Sequence, residues 1–496
     1  MIFHLLLFLV LYAITKHFLD KIRNLPPSPF PTLPIIGHLH LLNKPLHRSL
    51  SIISNRYRPV LLLQFGCRRV LLVSSPSAVE ECFTKNDIAL ANRPRLLAGK
   101  HLGYNFTSLA WAPYGDLWRN LRKLSSLEIL SSYRLQLLSS IRSDEVKILL
   151  HRLFRNKDEM VDLKSAFFEL MLNVMMRMIA GKRYYGENVE EVEAATRFRE
   201  IVRETIQMTG TSNIGDFLPL LAKIGGTEKK LLDLQKKRDG FIQGLIEEHQ
   251  NRMTTSPIEE KNKTLIEVLL TLQQSDPEYY TDQTIKSLIL VLLAAGTDTT
   301  VATLEWAMSV LVNNPDILKK AQNEIDIVMG HDRLITESDT LKIPYLQCII
   351  SEVLRMYPAG PLAVHESSEE CSIGGYRVPS GTMMLANIWS IHNDPLVWDE
   401  PQKFKPERFE GCEAVVSDGF RLMPFGSGRR RCPGEGLALR MVSLTLGSIL
   451  QCFEWERIGE EMVDMTEGVG IIMSKAQPLL VKCRPRRSMV HLLSQV

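Results

Sequence analysis

The chain lacks any marked charge bias. Its 59 lysines and arginines against 56 aspartates and glutamates leave a net +3, which gives no electrostatic reason to expect nucleic acid as a partner. Paired cysteines are missing too. The eight, Cys67, Cys82, Cys348, Cys371, Cys412, Cys432, Cys452 and Cys483, are scattered without a C-x-x-C pair, which excludes a zinc ribbon and a disulfide framework and fits a reducing compartment. There is no internal repeat of solenoid or propeller period. No G-x-G-x-x-G follows a strand, so no dinucleotide site is read. Past the N-terminus no uncharged run is long enough to span a bilayer. What is present is an ordinary globular balance, 45% hydrophobic and 23% charged over 496 residues, so the chain must bury a large core.

The first 20 residues differ. From Ile2 to Ile14 every residue but His4 is apolar, and Lys16, Lys21 and Arg23 follow the apolar run rather than precede it. A cleaved signal peptide would carry its basic residues first and a small-residue cleavage site after. Residues 1–20 are therefore expected to be a short membrane anchor. The positive-inside rule leaves the body in the cytosol, at an endoplasmic-reticulum bilayer thin enough for a helix of roughly 27 Å. Residues 21–36 hold Lys21, Arg23 and a run of prolines from Pro26 to Pro34. They read as a stiff, extended hinge.

Residues 37–496 read as one large domain, mainly α with a small β region. Helical periodicity dominates 115 to 360, and strand alternation is confined to pieces such as Val60–Phe65, Arg69–Val73 and Tyr376–Leu385. The charged cluster Glu228–Arg238 is expected to be a solvated helix face. The longest helix is predicted from a Thr281 cap to Val312, with Leu288–Ala295 apolar without a break. Such a helix crosses a core. Yet its centre reads Ala295-Gly296-Thr297-Asp298-Thr299-Thr300, where Gly296 lets something approach the backbone and the threonine hydroxyls compete for carbonyls one turn back.

Near the C-terminus, Pro424-Phe425-Gly426-Ser427-Gly428-Arg429-Arg430-Arg431-Cys432-Pro433-Gly434 precedes an apolar helix. A thiolate needs cationic or dipolar help, and here three arginines precede Cys432 and a helix N-terminus follows it. The arrangement suits a soft metal ligand.

Phe425-x-x-Gly428-x-Arg430-x-Cys432-x-Gly434 resembles the heme-binding loop of the cytochrome P450 superfamily. Five fixed residues at this spacing would arise by accident on the order of 10⁻⁴ times in a chain of this length. Other segments are similar in the family's order: Ala295-Gly296-x-Asp298-Thr299-Thr300 to its oxygen-activation segment, Glu352-x-x-Arg355 with Pro406-Glu407-Arg408-Phe409 to its core lock, and Trp118-x-x-x-Arg122 to its heme-propionate contact. Asn92-Arg93-Pro94-Arg95, His101-Leu102-Gly103-Tyr104-Asn105, Trp111-Ala112-Pro113-Tyr114-Gly115 and His365-Glu366-Ser367-Ser368 resemble the microsomal plant group that includes isoflavone 2'- and 3'-hydroxylases. Arg58 and Ser474 depart from that group, where glycine and proline are usual.

The resemblance implies a P450 fold, heme b with Cys432 as axial iron ligand, and a cofactor cradle of Trp118, Arg122, Phe425, Gly426, Gly428, Arg430 and Gly434. It implies that Asp298 and Thr299 organise proton delivery, and that O2 is the co-substrate with electrons from an NADPH-cytochrome P450 reductase, for whose docking Arg429 and Arg431 are the first candidates. Glu352, Arg355 and Arg408 are implied to be structural. Pocket walls are implied at Phe106, Thr209, Ala294, Gly296, Leu362 and Ile471, with Gly296 leaving room for oxygen. The expected reaction is hydroxylation of a lipophilic plant metabolite, a flavonoid, isoflavonoid or related phenolic. A triterpenoid, alkaloid or lignan scaffold is the alternative. Two rivals are a heme-thiolate isomerase or dehydratase and a non-catalytic heme or lipophile-binding membrane protein, neither of which needs the Asp298 and Thr299 pair.

Overall fold

The structure is a computed structural model that describes residues 4, 11, 14–15, 18–156, 159–186, 192–210, 213–221, 226–255, 263–411 and 419–495. The helices that position the site are α1 (Asp116–Ser125), α2 (Leu163–Ala180), α3 (Val192–Gly210), α4 (Thr227–Thr255), α5 (Asp282–Asn313), α6 (Pro344–Met356) and α7 (Glu435–Cys452). A four-stranded sheet, β1 (Val60–Phe65), β2 (Arg68–Val73), β3 (Leu362–Glu366) and β4 (Met383–Asn387), lies in the order β1-β2-β4-β3. Its pairings are antiparallel, parallel and antiparallel, with Val60 opposite Val73, Val70 opposite Met383 and Leu362 opposite Asn387.

Helix α5 starts where the sequence predicts, with the Thr281 hydroxyl accepting from Thr284 N at 3.2 Å. It ends before Pro315, whose ring cannot continue it. It packs against α2 so tightly that a Cβ on Gly296 would stand 2.7 Å from both Sδ and Cε of Met175. The expected close approach at Gly296 is thus made by a neighbouring helix.

Three further expectations change. The strand expected over Tyr376–Leu385 is two, Tyr376–Val378 and β4, parted by a turn in which Gly381 has φ +72°. The Pro-rich segment is docked rather than hanging as a hinge: Leu25, Pro26 and Pro29 are buried, Pro27 O accepts from Leu62 N (2.9 Å), and Pro29 O bonds His38 Nε2 (2.8 Å). Cluster Glu228–Arg238 is not simply solvated, because Leu231, Leu234 and Arg238 are buried. Most of the expected anchor lies outside the described residues, as does Cys412; within it, Leu11, Ile14, Phe18 and Leu19 are exposed and helical. Among the described residues the one helix long and apolar enough to cross a membrane is α5, which is mostly buried.

The core lock forms as expected. Glu352 and Arg355 are both 0% exposed. Arg355 donates Nε and Nη2 to the two Glu352 oxygens at 2.7 and 2.9 Å, and Glu352 also accepts from Arg408 Nε (3.1 Å) and Lys405 N (3.0 Å). Removing one partner leaves an unpaired buried charge at about 3–5 kcal/mol. Arg355→Ala is expected to abolish soluble, heme-loaded protein. Arg355→Lys is expected to restore little of it, since an ammonium cannot reproduce the two-pronged contact; expression yield with the reduced carbon monoxide spectrum checks both.

Candidate active site

Helix α5 is buried from Leu288 to Leu293 save for half-buried Val291, and almost wholly buried again from Thr300 to Val312, but Ala295 between them is exposed and Ala294, Asp298 and Thr299 are half-buried. A core helix open only at its middle borders an interior space. Each hydroxyl here bonds its own helix: Thr297 to Leu293 O (2.8 Å), Thr299 to Ala295 O (2.7 Å) and Thr300 to Gly296 O (3.3 Å). The Asp298 carboxyl is pushed up to about 6 by burial, against the opposing pull of Lys164 on α2 and Arg199 on α3.

Cys432 sits in the turn that feeds α7. Gly426 and Gly428 have φ +70° and +67°, and a Cβ on Gly428 would lie 2.4 Å from Asp87 Oδ1. The loop closes through Cys432 N to Phe425 O (2.9 Å) and Gly426 N to Met423 O (2.9 Å). The thiol is open, yet burial by the surrounding chain raises its pKa, offset by the Gly434 N–H and then Arg122. It faces a space inside the fold rather than bulk water.

The three arginines beside Cys432 serve it less than their sequence suggests. Arg429 is held by Asp87 (3.4 Å) and Arg431 by Glu435 (2.6 Å). Arg430 turns to the carbonyls of Ala91 (2.6 Å) and Ala112. The cation that acts most on the sulfur is Arg122, one turn past Trp118 on α1.

Arg430 marks the other half of the site. Burial drops its pKa to about 9, with Arg93 and Arg122 as the next causes, and its buried Nη1 has no hydrogen-bond partner among the described residues. His365 on β3 is likewise lowered by burial and then by Arg93. Cations crowded in this way are stable only beside an anion. The Trp118 indole N–H donates to Leu109 O (3.1 Å), and its ring carries the Arg430 guanidinium 4.5 Å above it. A porphyrin that brings iron to an open thiol and carboxylates to Arg430, Arg122 and Arg93 fits these residues. Sequence reading did not assign Arg93 and His365 to the site, because 272 positions separate them in the chain and only the fold brings them together.

The residues expected at the pocket have these surroundings. Ala294 borders the interior face of α5, whereas Leu362 packs on the sheet. Phe106 lies under the Arg95 guanidinium (4.4 Å), the Thr209 hydroxyl bonds Thr205 O (2.7 Å), and Ile471 is 42% exposed. Ser474, where proline is usual, donates its N–H to Ile472 O at 3.0 Å, a bond proline cannot make.

The sequence pattern described as Cytochrome P450 matches residues 26–483. The chain belongs to the cytochrome P450 family. It is 52% identical to Cytochrome P450 81Q32 of Catharanthus roseus over 95% of this chain and 94% of that one. It is 48% identical to a (+)-piperitol/(+)-sesamin synthase of Sesamum radiatum, covering 98% and 96%. It is 46% identical to an isoflavone 2'-hydroxylase of Glycyrrhiza echinata, again covering 98% and 96%. A zebra fish cytochrome P450 structure with progesterone superposes with a TM-score of 0.78 at 26% identity, covering 89% of this chain and 100% of that one. The protein is accordingly a P450 monooxygenase, whose family uses heme b, O2 and electrons that NADPH supplies through a reductase.

Because the folded pKa of Asp298 lies above the ordinary 3.8, the folded state holds the proton better than the unfolded one. Stability from this group is present below about pH 4 and lost as pH rises through about 6. Asp298→Asn is therefore expected to gain about 1–2 kcal/mol above pH 7, discounted for partial exposure. Its thermal midpoint should converge with wild type at acid pH; a constant offset across pH would refute the buried-carboxyl assignment.

Proposed function

We propose that this P450 hydroxylates a lipophilic plant specialised metabolite, a flat phenolic of the flavonoid or isoflavonoid class, at the endoplasmic-reticulum surface. The observation that carries the reading is the interior face of α5, where Val291, Ala294 and Ala295 offer a dry apolar edge and Asp298 with Thr299 offers an acid and hydroxyl pair. Relatives named isoflavone 2'-hydroxylase and isoflavone 3'-hydroxylase support the substrate class. The lignan, triterpenoid and alkaloid scaffolds are the alternative substrates.

The bound heme would supply insertion of one oxygen atom from O2 into a C–H bond, with Cys432 Sγ holding its iron and Arg430, Arg122 and Arg93 its carboxylates. The remaining work belongs to the chain. Ala294 and Ala295 exclude water from the apolar face. Asp298, with its carboxyl near 6, can take a proton from solvent and give it up again at neutral pH, the condition for efficient acid–base work. Lys164 and Arg199 keep it from being neutral throughout. The Thr299 hydroxyl, held at 2.7 Å by Ala295 O, can present its oxygen lone pair to the interior while it donates to the helix. An isomerase or a passive binder would need neither group.

We place reductase docking on the face around the cysteine loop. Arg429 and Arg431 already face carboxylates there, while Lys123, exposed beside Arg122, adds a further cation. The apolar N-terminal residues are assigned to the bilayer.

Two measurements test the reading. Titrating the heme-loaded protein with an isoflavone, a lignan, a triterpenoid and an alkaloid is expected to shift the spin state most with the isoflavone, with a hydroxylated product of mass +16 under NADPH and reductase; turnover confined to another scaffold would transfer the assignment to it. Thr299→Ala is expected to keep the reduced carbon monoxide spectrum while diverting most of the NADPH consumed to peroxide, since loss of a proton-transfer group slows its step by about 10²–10⁴-fold. Unchanged coupling would remove Thr299 from the relay.

A further inference from the structure

His101-Leu102-Gly103-Tyr104-Asn105 has no part in the chemistry above, yet it leads into the most unusual backbone of the molecule. Tyr104, Asn105 and Phe106 have φ of +50°, +53° and +63°, three successive non-glycine residues in the left-handed region. L-residues adopt that conformation singly and at a cost, so a run of three must be held by its surroundings. Two glycines make the turn sterically feasible: a Cβ on Gly99 would lie 2.7 Å from Trp111 and 2.8 Å from Phe106, and one on Gly103 would lie 2.5 Å from Gly99 O.

What holds it comes largely from α4. The Tyr104 hydroxyl donates to Asp239, whose same oxygen accepts from Gln235 Nε2 at 3.0 Å. Arg238, 4% exposed, donates Nη1 to Leu102 O at 3.0 Å and to Gln235 Oε1 at 2.9 Å. His101 and Lys100 meet Glu228 at 2.9 and 3.2 Å. Beneath these bonds Leu102, Leu231 and Leu234 form a small cluster that also takes in Leu97 and Met208, the neighbour of Thr209 on α3. Two residues assigned to the pocket, Phe106 and Thr209, therefore flank one clasp.

We infer that the Tyr104–Asp239 clasp is the positioning device that keeps Phe106 in its left-handed turn and so sets the size of ligand the pocket admits. The inference rests on the reading of Phe106 as a pocket wall. With the bond removed, the turn can relax toward ordinary backbone and carry the ring with it. Leu102, Leu231 and Leu234 would still hold the loop to α4, so the protein stays folded.

Spectral titration of heme-loaded protein with imidazole, which needs only the iron, and with clotrimazole, which fills the space above it, separates the possibilities. Tyr104→Phe and Asp239→Ala are expected to change the clotrimazole Kd about three- to tenfold, the range of one hydrogen bond, with the imidazole Kd unchanged. Asp239→Asn, whose amide oxygen can still accept from Tyr104, is expected to keep the wild-type value. A general structural role would move both azoles together or lower heme retention, and would overturn the inference. If Phe106→Leu changes the clotrimazole Kd but Tyr104→Phe does not, the clasp is overturned while the pocket reading stands. If neither changes it, Phe106 is no pocket wall and both fall.

Discussion

The carboxylate of Glu352 is the constraint on which the rest of the molecule depends. It is wholly buried and accepts from two arginines and a backbone amide. In that setting a carboxylate is tolerable only when every partner is in place. The consequence runs beyond α6. Arg355 also donates to His392 O at 2.7 Å, the His392 Nε2 accepts from Met423 N at 2.9 Å, Met423 O accepts from Gly426 N, and Phe425 O accepts from Cys432 N. Each bond in this chain fixes the next segment, and the last of them aims the thiol. The lock carries no chemistry, but it sets where the sulfur stands.

A second constraint is electrostatic. Arg93, Arg122, Arg430 and His365 converge from a loop, a helix, the cysteine turn and a strand; burial pushes all four toward losing their protons, and repulsion by neighbouring cations adds to it for Arg430 and His365. On the sulfur side the same burial works against the thiolate. Protein atoms alone leave both strained. A group that brings a cationic metal to the sulfur and carboxylates to the guanidiniums resolves both at once, since metal binding displaces the thiol proton and paired charges withstand burial. Binding of such a group to the folded chain would add to its stability.

How much of this could be read from the sequence follows the range over which each feature is encoded. The cysteine turn, the Glu352 and Arg355 pair and the Thr281 cap are set by residues within a few positions of one another, so spacing suffices. Features built by distant segments were invisible. Nothing near Gly296 indicates that Met175 fills its side, nothing near Arg238 indicates that Leu102 O awaits it, and Arg93 reaches His365 only through the sheet and its adjoining loop. The Pro-rich segment misled for the same reason, because proline forbids helix equally in a free linker and in an extended strap docked on a sheet. The substrate is least legible, since its walls come from loops that the fold positions but does not specify.

The centre of α5 shows how this scaffold divides stability from function. A helix buried along nearly its whole length would be most stable with apolar residues throughout, and on both sides of the site it is mostly so, apart from buried polar residues such as Ser287, Thr303, Glu305 and Ser309. Between them it carries an aspartate whose ionised form burial disfavours, three threonines whose hydroxyls bond back along the helix, and an alanine left open. The aspartate and the threonines are worse for the helix than leucine. The defects fall within six consecutive residues at the middle of the helix, where it opens to the interior space. Everywhere else it is clamped by α2, by Trp306 stacked on Tyr357 at 4.1 Å, and by Glu305 accepting from Leu479 N at 3.0 Å. That clamping lets a polar break persist in a core helix without unwinding it, so the rigidity of the flanks and the reactivity of the centre are two parts of one arrangement.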